Sequence, residues 1–535
     1  MRGNFNNTLP LAFFILRRER VISVIWLMLL VAVIAGLAGP MGEMMDPASR
    51  AALGATMENP AMIAMMGPVY GIKNYTVGAM YSNSMLLFSA MAVAVMNIFL
   101  VVRHTRTDEE MGRYEVLRSM PIGRMANLNA VMFFVLDINI ILSVLIGLGL
   151  YVFGDYSMGL GGSMLFGAAM GTTGLVFASI TALLAQLFST SRAAAGCSFL
   201  TMGIFYILRA AGDINAEWLS LISPLGLVLR AQVYVENYIW PIVILLAASG
   251  IITIIAFKLN SLRDIEQGFI TSAPGRSEAK KSLISPLGLS KRLVGGTVVV
   301  WVAVMLILGA SYGSILGDID DFVATNEFYQ MLLGSMEEFS VTVLFAAMQN
   351  SMMASIGLLP IIAIILRIRT EEKEYRTEVI LSATVKRIAY FGGFAAIAFA
   401  AGLFMQLANA FGLYFAAIAV LNDASELPLT MVLQANLVYL PAIWAVMALA
   451  IFLVGALPKY VQIIWVYFGF VFFMVFMGRI PDILPAWISY LSPFHYIPEL
   501  PIDSVNYFYL IILISIFLIF IGFLFYNKRD ITPNP

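Results

Sequence analysis

Residues 106–124 place eight charged side chains in nineteen positions, and the pattern returns at 369–387, 263 residues later. Without a gap, Arg106, Thr107, Glu109, Arg113, Glu115, Val116, Ser119 and Arg124 meet the same residue types at Arg369, Thr370, Glu372, Arg376, Glu378, Val379, Ser382 and Arg387. Interleaved acids and bases of this kind form ion pairs and charge-assisted hydrogen bonds, the chemistry of docking rather than of bond cleavage. Glu109 with Arg113, and Glu372 with Arg376, stand four apart with the acid first, which predicts ion pairs along a short helix in each copy. Covalent chemistry has little to work with. No G-x-x-x-x-G-K-[ST] run occurs, so the usual phosphate-cradling loop is absent. Cys197 is a single cysteine inside an apolar run, and His104 and His495 stand alone, without metal-ligand spacing. Neither catalytic residues nor metal ligands are assigned.

These charged islands need apolar elements to hold them. Of 535 residues, 61% are hydrophobic and 12% charged, with a mean hydropathy of +0.89. That composition defines an all-α integral membrane protein, and the net charge of -1 gives no reason to expect nucleic acid. Residues 1–20, apolar and then basic, read as an amphipathic helix on the membrane surface. Residues 21–39 read as a retained first span, and eleven further runs of spanning length fall near 84–102, 127–152, 161–187, 195–211, 238–258, 295–312, 346–366, 388–414, 428–454, 461–478 and 506–526. With the N-terminus inside, 26 of the 31 Lys and Arg residues lie in inner segments, which also puts the C-terminus inside. Arg50, Lys73, Arg209, Arg230 and Arg479 are the exceptions.

Two further matches repeat the first. Residues 218–224 (Trp-Leu-Ser-Leu-Ile-Ser-Pro) match 487–493 (Trp-Ile-Ser-Tyr-Leu-Ser-Pro), and Arg263-Asp264-Ile265 matches Arg529-Asp530-Ile531. Together the three define a tandem duplication: a first six-span half (21–259), a basic cytosolic linker (260–294), a second six-span half (295–526) and a cytosolic tail (527–535). Long outer segments, 40–83 and 313–345, follow the first span of each half. The first reads as short helices packed on the outer ends of the spans, or as a lid on an exit path. Within the third span Asp137 is costly in hydrocarbon and demands a partner or a wet cavity. It either binds a cationic substrate or proton, or is neutralised by packing near a basic end such as Arg124; Asn139 does not share its helix face.

An acid-rich helix carrying Glu115-Val116-Leu117 after the second span, and a Ser-Pro turn between the fifth and sixth, resemble the permeases of ABC-2-type transporters. The doubled form with its N-terminal Phe-Ile-Leu-Arg-Arg segment and the turn Gly67-Pro68-Val69-Tyr70 resembles the family described as exporters of polyketide antibiotics. The first copy carries Gly112 before its Glu, as that family often does; the second has Tyr375. The resemblance implies two coupling helices, 106–124 and 369–387, seated on two copies of a separate ATP-binding subunit that holds ATP and Mg. Arg106, Glu109, Arg113, Glu115, Val116, Arg124, Arg369, Glu372, Arg376, Glu378, Val379 and Arg387 would form that coupling surface. It also implies a cell-membrane exporter, in a prokaryote, for hydrophobic or amphiphilic drug-like molecules, with no cofactor in this chain. A substrate path would run along the second and fifth spans of each half, past Asn97, Phe205, Tyr206, Gln349, Asn350, Tyr467, Phe468, Phe472 and Phe476, with Asp137 as a further candidate. Two rivals remain open on the residues: a proton-driven twelve-span carrier of the major facilitator class, and a membrane sensor or assembly partner of an ATPase that transports nothing.

Overall fold

A computed structural model describes residues 2–43, 47–264, 267–270, 277–278, 280–314, 316–318, 341–421, 427–477, 486–498 and 508–531. Extended pairing among them is limited to an isolated bridge between Phe188 and Ile270; the rest is helix and short connections. The chain forms two compact units, Met1–Gly275 and Arg276–Pro535.

In the first unit, α1 (Thr8–Gly36) is followed by three short helices, α2 (Ala38–Glu43), α3 (Pro47–Met57) and α4 (Pro60–Met66). Then come α5 (Val77–Val102), the small α6 (Asp108–Glu110) and α7 (Arg113–Arg118), and three long helices, α8 (Ala126–Phe153), α9 (Leu160–Leu187) and α10 (Ser191–Asn215). Short α11 (Glu217–Ile222) and α12 (Pro224–Leu229) lead into α13 (Trp240–Leu262). No break separates a surface helix over 1–20 from the first span, because α1 runs unbroken through Arg20. Nothing in the sequence there stops a helix: the sole proline, Pro10, falls in its first turn, where a missing N–H is tolerated.

Helix α9 is the centre of this unit, packed by α5, α8, α10 and α13. Its small residues make that possible, since association in lipid rests on close packing rather than on expelling water. A methyl group added at Gly167 or Gly171 would overlap Ser143 of α8, and one at Gly174 would overlap the side chains of Asn97 and Asn139. The Ser-Pro turn has a local cause: Ser223 caps α12 by accepting from the Leu225 N–H at 3.2 Å, while its hydroxyl donates to the Phe205 carbonyl at 2.8 Å.

The segment 40–83 does hold short helices packed on the long ones, α4 against α5 and α10. Arg209, fully buried, pins it by donating to the carbonyls of Ile63, Ala64 and Met65 at the end of α4. Arg230 donates to the Tyr70 hydroxyl at 2.9 Å, and both arginines pair with Asp213 at 3.4 Å. Burial pushes the Tyr70 phenol above its ordinary range, more than the adjacent guanidinium pulls it down, so it stays protonated. Two of the five basic residues outside the inner segments are thus spent on tying down this segment.

The second unit comprises α14 (Pro286–Gly313), α15 (Val341–Ile356), α16 (Leu358–Lys373), α17 (Arg376–Ser382) and α18 (Arg387–Val420). It continues with α19 (Leu429–Leu437), α20 (Leu440–Ala456), α21 (Ile463–Met477), α22 (Ala486–Ser489) and α23 (Phe508–Lys528). Helix α14 starts inside the expected linker, capped by Ser285 with Pro286 at its first position. It lies along α18, whose Gly412 meets the Leu306 carbonyl while Gly309 of α14 meets that of Asn409. Among the described residues, eleven helices are long and apolar enough to cross a membrane. The run 461–478 gives only the 15-residue α21, and the outer segment 313–345 lies mostly outside the described residues.

Candidate functional site

The repeated charged segment does not fold as one helix. In the first unit, α5 loosens into a π-helical stretch over Arg103–Thr107, α6 adds one short turn, and the chain reverses at Gly112 with φ +67° before α7. In the second, α16 ends at Lys373 and the chain turns at Tyr375, with φ +60°, before α17. A left-handed residue suits glycine, and the tyrosine adopts it at a steric cost. The kink between Glu109 and Arg113, and between Glu372 and Arg376, removes the helical register on which the expected i,i+4 pairs depend. Those pairs do not form.

Other pairs form instead, alike in the two units. Glu109 accepts from Arg106 at 2.8 Å and from Arg263 at 3.0 and 2.5 Å, and all three are buried. Glu372 accepts from Arg369 and, at 2.5 Å, from Arg529. The matched Arg-Asp-Ile runs after α13 and α23 therefore supply the second arginine of each triad. Arg124 donates to the Arg263 carbonyl and Arg387 to the Arg529 carbonyl, each at 2.6 Å. Arg113 pairs with Asp108 at 2.9 Å and Arg376 with Glu371 at 3.2 Å. Arg106 also donates to the backbone of Ala185, Gln186 and Gln267, so the triad clamps the ends of α5, α9 and α13 together.

Eight of the twelve coupling candidates thus work inside the chain. What remains outward is the short helix beyond each kink. Glu115 and Val116 on α7, and Glu378 and Val379 on α17, are exposed, the two valines at 63% and 73%. Ser119 and Ser382 close each helix alike, donating to the Val116 and Val379 carbonyls at 2.7 and 2.8 Å. Each unit therefore presents a six- or seven-residue knob of one acid and one bare valine on a base of buried ion pairs.

In the first unit alone, α1 braces this base. Arg18 bonds Asp108 at 2.7 Å and His104 at 2.5 Å, and buried Glu19 pairs with Arg103 at 3.2 Å. His104, isolated in sequence, belongs to this ionic network. No signal in the sequence linked residues 86 and 90 positions apart.

The substrate-path candidates disperse. Asn97 is fully buried and exchanges hydrogen bonds with Asn139 of α8 at 3.1 and 2.7 Å. Asp137 lies on the other face of α8, exposed beside Leu136, Ile140 and Ile141. Two residues along a helix are about 200° apart, so the inward polar position belongs to Asn139. Its spacing from buried Val135, Leu142 and Ile146 is the signal that finds it. Tyr206 donates to the Met65 carbonyl at 3.1 Å and packs on the Arg209 guanidinium, while Phe205 stands edge-on to Phe177. In the second unit Gln349 and Asn350 are buried, Tyr467 donates to the Leu491 carbonyl at 3.0 Å, and Phe468 faces Phe472, which is exposed. The Phe476 side chain lies outside the described ones. Among the described residues no group of three or more His, Cys, Asp or Glu could hold a metal.

Eleven spanning-length helices among the described residues, with buried polar ties at their charged ends, give the build of a multi-pass membrane protein. Residues 283–527 match the family described as multidrug efflux system permease Rv1217c, C-terminal domain. The whole chain is 30% identical to the multidrug efflux system permease protein Rv1217c of Mycobacterium tuberculosis over 545 residues, covering 99% of this chain and 96% of that protein. The chain belongs to this family of efflux permeases.

Proposed function

We propose that this chain is the membrane-spanning subunit of an ATP-driven exporter of hydrophobic or amphiphilic drug-like molecules. Its two knobs, α7 and α17, would dock on two copies of a separate ATP-binding subunit carrying ATP and Mg. The observation that carries this reading is the division of labour within the repeated motif: in both units the matched arginines (Arg106, Arg113, Arg124; Arg369, Arg376, Arg387) bond to groups of the chain itself, while Glu115, Val116, Glu378 and Val379 stay outward. A solvated loop needs no repeated buried triad beneath it. A part that transmits force does, because the knob must not yield when pushed. Glu115 and Glu378 can accept charge-assisted hydrogen bonds from a partner's Arg or Lys, and the bare valines supply apolar anchorage. Closure of the ATP-binding dimer would then move α5, α9 and α13 of the first unit through Glu109, and α16 and α23 of the second through Glu372. The fused halves, the ABC-2 architecture, the cytosolic placement of both termini and the cell-membrane location belong to the same proposal.

The relative's description as a multidrug efflux permease supports drug-like cargo. The test is co-purification with a candidate ATP-binding subunit, such as an ATPase found encoded in a neighbouring reading frame. Glu115→Arg with Glu378→Arg is expected to abolish it and the permease-dependent change in ATP hydrolysis, with thermal stability unchanged because both acids are exposed. Wild-type binding by the double variant would refute the coupling assignment. Drug extrusion driven by a proton gradient without any ATPase would favour the carrier instead.

A further inference from the structure

The second unit buries five side-chain amides on three of its helices: Gln349 and Asn350 on α15, Gln406 and Asn409 on α18, and Asn436 on α19, none more than 2% exposed. Asn409 donates to Asn436 at 2.6 Å and reaches Asn350 at 3.4 Å. Three of their polar atoms have no partner: Asn350 Nδ2, which donates, and Gln406 Oε1 and Asn409 Oδ1, which accept; the Gln349 side chain lies against the Tyr312 phenol of α14. Burying an amide group without a hydrogen bond is costly, so three such atoms on two helices that meet at Asn350 and Asn409 call for an occupant. The Asn97–Asn139 pair of the first unit shows the contrast, since there each amide satisfies the other.

The backbone around the cluster points the same way. Helices α15 and α16 break at Gly357, three residues before Pro360, and α19 and α20 break at Val438–Tyr439, just before Pro441. Each proline lacks the N–H that would bond the carbonyl four residues earlier. Broken helices at membrane depth are tolerated where they line a cavity or a binding site. Gly309 lets α14 pack directly on α18 at the cluster, where a Cβ would overlap the Asn409 carbonyl and stand 3.0 Å from its Oδ1. The sequences 349–366, 388–421 and 427–456 contain no charged residue, so these helices themselves offer a cation no counter-charge.

We propose that these amides form a binding site for an uncharged group that both donates and accepts hydrogen bonds, such as an amide, an imide or a hydroxyl beside a carbonyl, borne by the transported molecule. At about 1.5 Å per residue, Gln349 and Asn409 lie roughly 27–33 Å along their helices from Arg367 and Arg387. The site therefore sits at the end of the unit away from the charged tie, where an exporter releases its load. This inference rests on the transport reading for its cargo, and on the amides alone for its chemistry.

The test is equilibrium binding of radiolabelled chloramphenicol, a neutral amide bearing hydroxyls, to the full chain in nanodiscs without any ATPase. Saturable binding above empty nanodiscs is expected, with little displacement by ethidium, a cation of similar size. Gln349→Met with Gln406→Met keeps side-chain volume and is expected to weaken binding at least tenfold, whereas Thr173→Val, a buried hydroxyl already bonded to its own helix, leaves it unchanged. Gln406→Glu is expected to reverse the preference toward ethidium, which a merely structural role would not do. Absent saturable binding, unchanged binding in the double variant or equal displacement by ethidium each overturns the proposal. Unchanged binding with a higher melting temperature would show that the amides hold only water. Chloramphenicol binding without permease-dependent efflux would sink the transport reading and leave the site standing.

Discussion

Glu109 and Glu372 are each held by two arginines, one three residues earlier and one more than 150 residues later, and removing the acid strands both cations in a buried place. Glu109→Gln is expected to cost about 3–5 kcal/mol, as does breaking other buried ion pairs by truncating one partner. Glu115→Gln, on the exposed knob, is expected to change stability by less than about 0.5 kcal/mol. Thermal unfolding of the two variants in one detergent checks the contrast. The same comparison shows what composition conceals: the two glutamates lie six residues apart in one repeated motif, yet one belongs to the core and the other to the surface.

At the scale of the element, the bend at Gly112 and Tyr375 decides which charges turn inward. The helical spacing of Glu109 and Arg113 is sound for a continuous helix, and it fails because one left-handed residue rotates everything beyond it. Glycine adopts that conformation freely, whereas a residue with a Cβ loses roughly 1–2 kcal/mol there. Gly112→Ala is expected to lower stability by about that amount, since nothing stands near enough to clash. Tyr375→Gly is expected to raise it, with the gain reduced by the greater freedom of glycine in the unfolded chain. Melting temperatures of the two variants should move in opposite directions. Existence and approximate bounds of the long helices were legible from apolar runs alone; the bend, the unbroken α1 and the short α21 were not, because each depends on neighbours in space.

For the whole molecule, two units with matching ion-pair ties each offer one knob. The coupling proposal then fixes a stoichiometry: native mass spectrometry of the assembled transporter is expected to find one copy of this chain with two ATP-binding subunits. A complex holding two copies of this chain would contradict it. The units are not equal in their interiors. The first braces its tie with Arg18 and Glu19 of α1 and closes its amides on each other; the second leaves amides open. Such asymmetry has a physical basis in lipid, where an unsatisfied polar group is tolerated only when something else in the unit or its ligand answers it.

The sequence by itself determined the membrane-spanning class, the helix runs and the recurrence of the charged motif, because apolar length and residue identity are properties of consecutive positions. It also held the charged motif and the Arg-Asp-Ile run of each half without showing that the two meet in space. Only the tertiary structure decided that Arg263 and Arg529 complete the triads, that Asn139 rather than Asp137 turns inward, and that the amides of Asn350, Asn409 and Asn436 meet across three helices. These are pairings across tens to more than a hundred residues, and their energies depend on burial and direction, neither of which a linear spacing records.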